Sequence, residues 1–527
     1  MFDFRRKKYN TVEDATVAEA LLQNKLPLGN YSFRLHSWRN EPHMLKETPS
    51  AWVTVNGVPN LNAFRIKLRD GMHIEPQSKR RLSFLIARHS RAGFYYRHFY
   101  YINSIRHFFL NFIRKINDYG GNAASIPEDA GISELDFKSS EVLRPRTFVI
   151  GAGRAGIGVL SALEDEDVLV ADVLPEEIIK RRIEAMSLED FQSNNLFHGS
   201  RKLLADTTVF AAEGEHLFAA VCGYNKIYFI KPERTFLCTG AEDIKPLFPG
   251  NGIPGVISGQ TLIRYPFLAK GASYPLLYLE NSIPLSTLKM LSDAVHFSTV
   301  VVHRADDKYI SEVREMLNAE VLRGNVSSAF GARHVETVKI QSEGKSSYMR
   351  CDLLVISGRK QPRIELASLL KLKMSYSTHY SMPVPQTDGR YRCSETIHAC
   401  GSLLSPSPDA LLQGIAAAEG REEEHSESME KVETGSGMIC FCMDVDAEDI
   451  EYMAENGYST LNRMKRFSGL FMGPCQGARC FRNAFEKFEE CTGKEIDMPT
   501  IRPPVVPVFI GALALADLEE VSGGKEH

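Results

Sequence analysis

The chain has 527 residues and a mass of 59.1 kDa, which at roughly 100–200 residues per unit leaves room for about three or four compact domains. With 43% hydrophobic and 24% charged residues it falls among folded globular proteins and outside the disordered and collagen-like classes. A formal charge of −4 excludes a global basic field for nucleic acid, and the longest apolar run, 505–516, is broken by Pro507 and shorter than the about 20 residues of a membrane helix, so a cytoplasmic protein without a transmembrane segment is expected.

At the N-terminus Arg5, Arg6, Lys7 and Lys8 lead into polar residues, where a secretory leader would have an apolar stretch. Residues 1–118 combine a helical pattern at 16–23 with β-like stretches at 51–55 and 64–68, which predicts a small α+β domain; the aromatic run 93–102 reads as packing. Residues 119–146, with Gly120-Gly121, Pro127 and Pro145, read as a linker. From 147 to 421 strand-like runs (148–150, 168–171, 235–238, 299–302, 353–356) alternate with helix-like ones, the pattern of parallel βαβ units and an α/β fold. The charged stretch 422–437 reads as a second linker, 438–495 as a small cysteine-bearing module, and 496–527 as a Pro-rich tail.

The strand-like run 146–150 is followed at once by G-x-G-x-x-G and a helix-compatible stretch. Gly151 permits the tight turn, Gly153 lets the backbone approach a pyrophosphate, and Gly156 lets helix and strand pack closely; Arg154 and Ala155 fall at the helix N-terminus, where the phosphate sits. The strand 168–171 runs into Asp172, 21 residues after Gly151, where an acid binds a ribose hydroxyl. Thr239-Gly240-Ala241 makes a further small-residue turn near the same sheet. A dinucleotide is expected here.

None of the ten cysteines precedes Cys222 and five crowd the end, a distribution that suits a metal site in a reducing compartment better than a disulfide framework. Cys440 and Cys442 form C-x-C and, 32 residues on, Cys475 and Cys480 form C-x4-C. Soft thiolates select zinc or an iron–sulfur cluster, and the tight C-x-C pair departs from zinc spacings and favours iron–sulfur. The stretch 447–466 between the pairs is helix-compatible, with an apolar stripe of Ile450, Met453, Ala454 and Leu461, and Cys491 lies outside the motif.

Jointly these residues resemble the alpha subunits of the sarcosine oxidase, dye-linked L-proline dehydrogenase, opine oxidase and hydrogen cyanide synthase family, in a short form without the aminomethyltransferase domain. The resemblance runs from about Glu13 to Ala514 and is carried by 15–24 with 34–39, 60–77, 93–97, the loop Gly151–Gly156, Thr239–Ala241, 251–256, the cysteine module and 502–514. It implies a disulfide-oxidoreductase-like doubly wound core with FAD held by Gly151, Gly153, Arg154, Ala155, Gly156, Asp172, Thr239, Gly240, Ala241 and Gly401. It also implies an N-terminal β-grasp ferredoxin-like domain, which without a cysteine holds no cluster. A two-iron, two-sulfur cluster of the bacterioferritin-associated ferredoxin kind is implied on Cys440, Cys442, Cys475 and Cys480. The implied partner is an amine-oxidising beta subunit containing FAD, with FMN at the interface, and this chain handles its electrons. Tetrahydrofolate use is not expected, since the chain stops just after the Pro-rich motif.

Two departures refine the expectation. The second nicotinamide-type subdomain, about 272–345, has no glycine in 275–284, so phosphate would meet side chains there, which argues against NAD(P). Gly401-Ser402 stands where many flavoproteins have Gly-Asp, so FAD contacts would be partly backbone-mediated. The fifteen histidines are dispersed, and no catalytic base is identified. The alternatives are a stand-alone NAD(P)H-dependent flavin oxidoreductase and a non-catalytic scaffold subunit.

Overall fold

The computed structural model describes all residues except 11–14, 25, 27–50, 77–130, 164–166, 185, 187–195, 198, 224, 332–333, 407–408, 423–434, 474, 495, 497 and 517–527. The aromatic run 93–102, residues 119–130 of the first linker and most of the second lie outside the described residues.

The N-terminal unit is a mixed five-stranded sheet of β1 (Phe2–Phe4), β2 (Lys7–Tyr9), β3 (Trp52–Val55), β4 (Val58–Asn62) and β5 (His73–Pro76), in the order β2-β1-β5-β3-β4. Only β1 and β5 run parallel. Helix α1 (Val17–Gln23) starts at a capping box in which Thr16 and Glu19 each accept the other's amide, satisfying two donors that a helix start leaves orphaned. Its Val17 and Leu21 pack on Phe4, Val53, Leu61 and Ile74 of the sheet, a β-grasp arrangement.

The central sheet is wholly parallel: β6 (Thr147–Ile150), β7 (Val168–Ala171), β8 (Lys202–Leu204), β9 (Arg234–Leu237) and β17 (Ile397–Ala399), in the order β17-β9-β6-β7-β8. Strands β6, β7 and β17 are buried residue after residue, as expected of a parallel sheet covered on both faces. Helix α2 (Arg154–Ala162) lies against α7 (Ala410–Glu419) so closely that a Cβ on Gly158 would overlap the Leu411 carbonyl and one on Gly414 the Ala155 carbonyl.

An antiparallel ribbon, β10 (Ala241–Asp243) with β16 (Lys360–Pro362), carries a second parallel sheet. That sheet holds β11 (Val256–Ser258), β12 (Pro275–Asn281), β13 (Thr299–Arg304), β14 (Glu320–Arg323) and β15 (Leu353–Ser357), ordered β11-β15-β12-β13-β14. It reaches beyond 272–345 at both ends because β12 pairs on one side with β15, which closes the unit. Helices α4 (Gly259–Arg264), α5 (Leu285–Ala294) and α6 (Asp307–Leu317) cover it.

The C-terminal module has a short hairpin, β18 (Met438–Cys440) with β19 (Val445–Asp446), and helices α8 (Ala447–Glu455), α9 (Leu461–Ser468) and α10 (Phe481–Thr492). The stretch expected as one helix is two, because Gly457 adopts φ +82° and Thr460 caps a new start by accepting the Arg463 amide. Phe471, Phe481, Phe485 and Phe488 bring this module into one continuous core with the central sheet. Among the described residues no helix is long and apolar enough to cross a membrane.

Candidate functional site

The turn after β6 is set by sterics. Gly151 has φ +112°, and a Cβ there would overlap the Cys238 carbonyl; one on Gly156 would overlap the Gly151 carbonyl. Gly153 differs: nothing lies within 4 Å of the place its Cβ would take. Open backbone at the start of α2 is the cradle a phosphate needs. Gly240 and Gly401, with φ +69° and +74°, sit at the ends of the neighbouring strands, and Gly401 closes on Ala155. The structure therefore brings Gly151, Gly153, Arg154, Ala155, Gly156, Thr239, Gly240, Ala241 and Gly401 to one edge of the central sheet.

Asp172 is also there, but its carboxylate is engaged with the backbone: Oδ2 accepts the Ala152 amide at 2.7 Å and Oδ1 the Leu174 amide at 2.8 Å. It braces the glycine loop, and each oxygen keeps a further lone pair for a ribose hydroxyl. Two cations near it were not singled out from the sequence. Burial pulls the Arg182 guanidinium below its usual range, against the attraction of Asp172 and together with the repulsion of Arg264. Arg264 has both terminal nitrogens buried without a hydrogen-bond partner, as is Nε of Arg154, whose Nη1 donates to Ser286 at 3.2 Å. The unpartnered buried Nε of Arg154, at the start of α2 beside the open glycine loop, fits an anionic group such as a dinucleotide's phosphates.

The four module cysteines are all buried and gathered as two pairs: the Cys442 and Cys475 sulfurs are 3.6 Å apart, and Cys480 shares a hydrogen bond with Cys440. Gly473 makes this possible, since a Cβ there would overlap Cys442. The Cys480 thiol is pushed well above its usual range, first by the bond to Cys440, then by burial and by the other sulfurs. Among the described residues no three ligating side chains are arranged to hold one metal ion. Four buried sulfurs gathered as two pairs match in number and grouping what a two-iron centre takes, two thiolates on each iron.

The C-x-C strand is pinned from outside the module. Asn251 donates to the Met438 carbonyl at 3.0 Å and accepts the Met438 amide at 2.9 Å, and Lys245 lies 4.1 Å over the Phe441 ring.

The second sheet has no comparable cradle. Glu280, near the end of β12, is buried and paired with Arg359 at 3.1 Å; Arg359 in turn pairs with Glu486 of α10 and meets the Asn483 amide oxygen at 3.3 Å. The following turn is closed by the Tyr309 hydroxyl, which accepts the Ile283 amide at 2.9 Å and donates to its carbonyl at 3.0 Å. The cysteine module's own helix thus packs Asn483 and Glu486 against Arg359, just beyond the end of β15.

A glycine cradle on a parallel sheet, a second parallel sheet hung from it on a ribbon, a β-grasp unit at one end and a four-cysteine module at the other define a two-sheet, flavoprotein-like dinucleotide fold. Residues 434–517 match the sarcosine oxidase A3 domain, and residues 2–79 match the 2Fe-2S iron-sulfur cluster binding domain. The chain is 24% identical over 575 aligned residues to sarcosine oxidase subunit alpha of Rhizobium meliloti (strain 1021), covering 97% of this chain and 57% of that protein. It thus spans little more than half of that relative's length. L-proline dehydrogenase from P. horikoshii has the same fold, with a TM-score of 0.66 and 21% identity over 97% of this chain and 96% of that one. The chain is thus similar to the sarcosine oxidase alpha subunit along nearly all of its own 527 residues, as its motifs predicted. Its N-terminal unit keeps the ferredoxin-type fold with no cysteine between residues 2 and 79.

Proposed function

We propose that this chain is the electron-handling alpha subunit of a hetero-oligomeric amine or amino-acid dehydrogenase or oxidase of sarcosine, proline or opine type, acting in the cytoplasm. The observation that carries the proposal is that the cysteine loop rests on the ribbon leaving the glycine cradle: Gln361 of β16 donates to the Gly477 carbonyl at 3.1 Å and accepts the Arg482 amide at 3.0 Å.

In this reading FAD lies on the Gly151–Gly156 cradle and a two-iron, two-sulfur cluster on Cys440, Cys442, Cys475 and Cys480. Together such groups connect a two-electron donor to one-electron carriers. The chain's own residues do the holding. Gly153 admits the pyrophosphate to the backbone, Arg182 and Arg264 balance its charge, and Asp172 stiffens the loop while offering oxygen to the ribose. Thr239, Gly240, Ala241 and Gly401 line the cradle's flank with backbone and short side chains. Oxidation of the amine falls to a partner beta subunit with its own FAD, FMN lying at the interface. The Glu280–Arg359–Glu486 contacts oppose a second nucleotide and so weigh against a stand-alone NAD(P)H-dependent reductase.

The test is a visible spectrum and low-temperature EPR of the anaerobically purified chain before and after dithionite, with chromatography of released flavin. FAD with a rhombic signal on reduction supports the proposal. A flavin-free protein containing zinc overturns it in favour of a scaffold subunit.

A further inference from the structure

The cradle and the cysteine loop are joined by a short run of polar contacts that the functional reading leaves unused. The Thr239 hydroxyl donates to the Arg363 carbonyl at 3.0 Å, and the Arg363 amide returns a bond to the Gly240 carbonyl at 3.0 Å. The Arg363 guanidinium pairs with Glu242, which lies opposite Gln361 in the ribbon. The second carboxylate oxygen of Glu242 faces Nε of Arg479 at 3.6 Å. Arg479 is buried, and it is the residue immediately before Cys480. Glu242 is itself largely buried, with 13% of its side chain exposed, so its charge is weakly screened by water.

We propose that Glu242 is a positioning residue for the cysteine loop: its carboxylate, shared between Arg363 and Arg479, ties that loop to the Thr239-Gly240 turn and fixes the positive charge standing next to Cys480. The inference rests on the two-iron reading above. Reduction of a cluster on these thiolates by one electron from dithionite adds a unit of negative charge, so charges fixed at this spot bias the equilibrium. Removing the Glu242 charge makes the surroundings of Cys480 more positive and favours reduction. Removing the Arg479 charge disfavours it.

The experiment is an EPR-monitored redox titration of the full chain, with iron and labile sulfide measured alongside. Glu242→Gln is expected to raise the reduction equilibrium constant at least roughly threefold, about 28 mV for one electron, and Arg479→Gln to lower it by a similar factor. Glu242→Asp keeps the charge and is expected to stay near the parent value. A merely structural role would loosen the loop in both variants and move both in the same direction. Shifts of the same sign, or none, overturn the proposal.

A parent chain without iron and labile sulfide overturns the two-iron reading, and the tie itself is then read from hydrogen exchange of the metal-free protein. Glu242→Gln is expected to speed exchange at least tenfold across 475–482 while leaving the N-terminal sheet unchanged. Unaltered exchange there overturns the tie.

Discussion

Replacing Arg359 with Met is expected to detach the cysteine module from the second sheet. Arg359 has 3% of its side chain exposed and Glu280 and Glu486 have 5% each, so all three charges are out of water. Glu486 would keep Arg482 at 3.0 Å, but Glu280 would lose the Arg359 contact at 3.1 Å, and its other oxygen is buried with no hydrogen-bond partner. Leaving a buried charge without its counterion costs about 3–5 kcal/mol. Because each ~1.4 kcal/mol is a factor of ten in an equilibrium, local opening of α10 should rise by roughly two to three and a half orders of magnitude. Hydrogen exchange of peptides from 481–492, followed by mass spectrometry, reads that opening directly. Neutralising the orphan as well, in Arg359→Met with Glu280→Gln, should recover more than half of the lost protection. Less than a tenfold change in the single variant, or no recovery in the double, would refute the claim that this buried cluster holds the module in place.

Other outcomes follow from the same geometry. Gly153→Ala should leave the melting temperature within about a degree of the parent, since its Cβ enters open space, yet abolish FAD retention; Gly156→Ala, which would press on the Gly151 carbonyl, should damage the fold itself. His398, buried and stacked on Phe236 at 4.8 Å, has its pKa pushed down to about 4 by burial first and then by Arg234 and Arg392. Because the unfolded chain takes up that proton near pH 6.5, the associated stability is present above pH 6.5 and is lost as pH falls toward 4, by up to about 3 kcal/mol. Between pH 7.5 and pH 4.5 the urea midpoint of the parent should therefore fall further than that of His398→Leu, and equal falls would contradict the assignment. Millimolar NADH should not protect 275–290 from hydrogen exchange, and protection there would show that the second sheet accepts a nucleotide after all.

Much of this was legible in the sequence because it is local. The glycine loop follows its strand directly, the cysteines pair at short spacing, and the apolar runs mark the parallel strands, so the cradle and the module could be read without coordinates. What escaped is what the fold assembles from a distance. Arg182 feels both Asp172 and Arg264, the two arginines coming from helices some eighty residues apart, and neither has a local pattern. Glu280 did leave a trace, a single carboxylate in the apolar run 275–283, but its meaning depends on Arg359 and Glu486. The break between α8 and α9 was hidden because an apolar stripe continues across Gly457 in phase with a helix. Asp172 lies beside the glycine loop, and only the structure reveals that its carboxylate serves its own backbone.

The tight seating of α2 against α7 has a consequence for biosynthesis. About 250 residues separate the two helices, and β17 and Gly401, which complete the cradle's flank, also come late in the chain. At ~5–20 residues per second a ribosome needs roughly 12–50 s to travel that interval. Throughout it, the nascent glycine loop has emerged without its roof, and the apolar face of α2 waits uncovered. The packing around the glycine loop is thus among the last parts of the molecule to be finished, and products truncated before about residue 420 leave α2 without the helix that covers it.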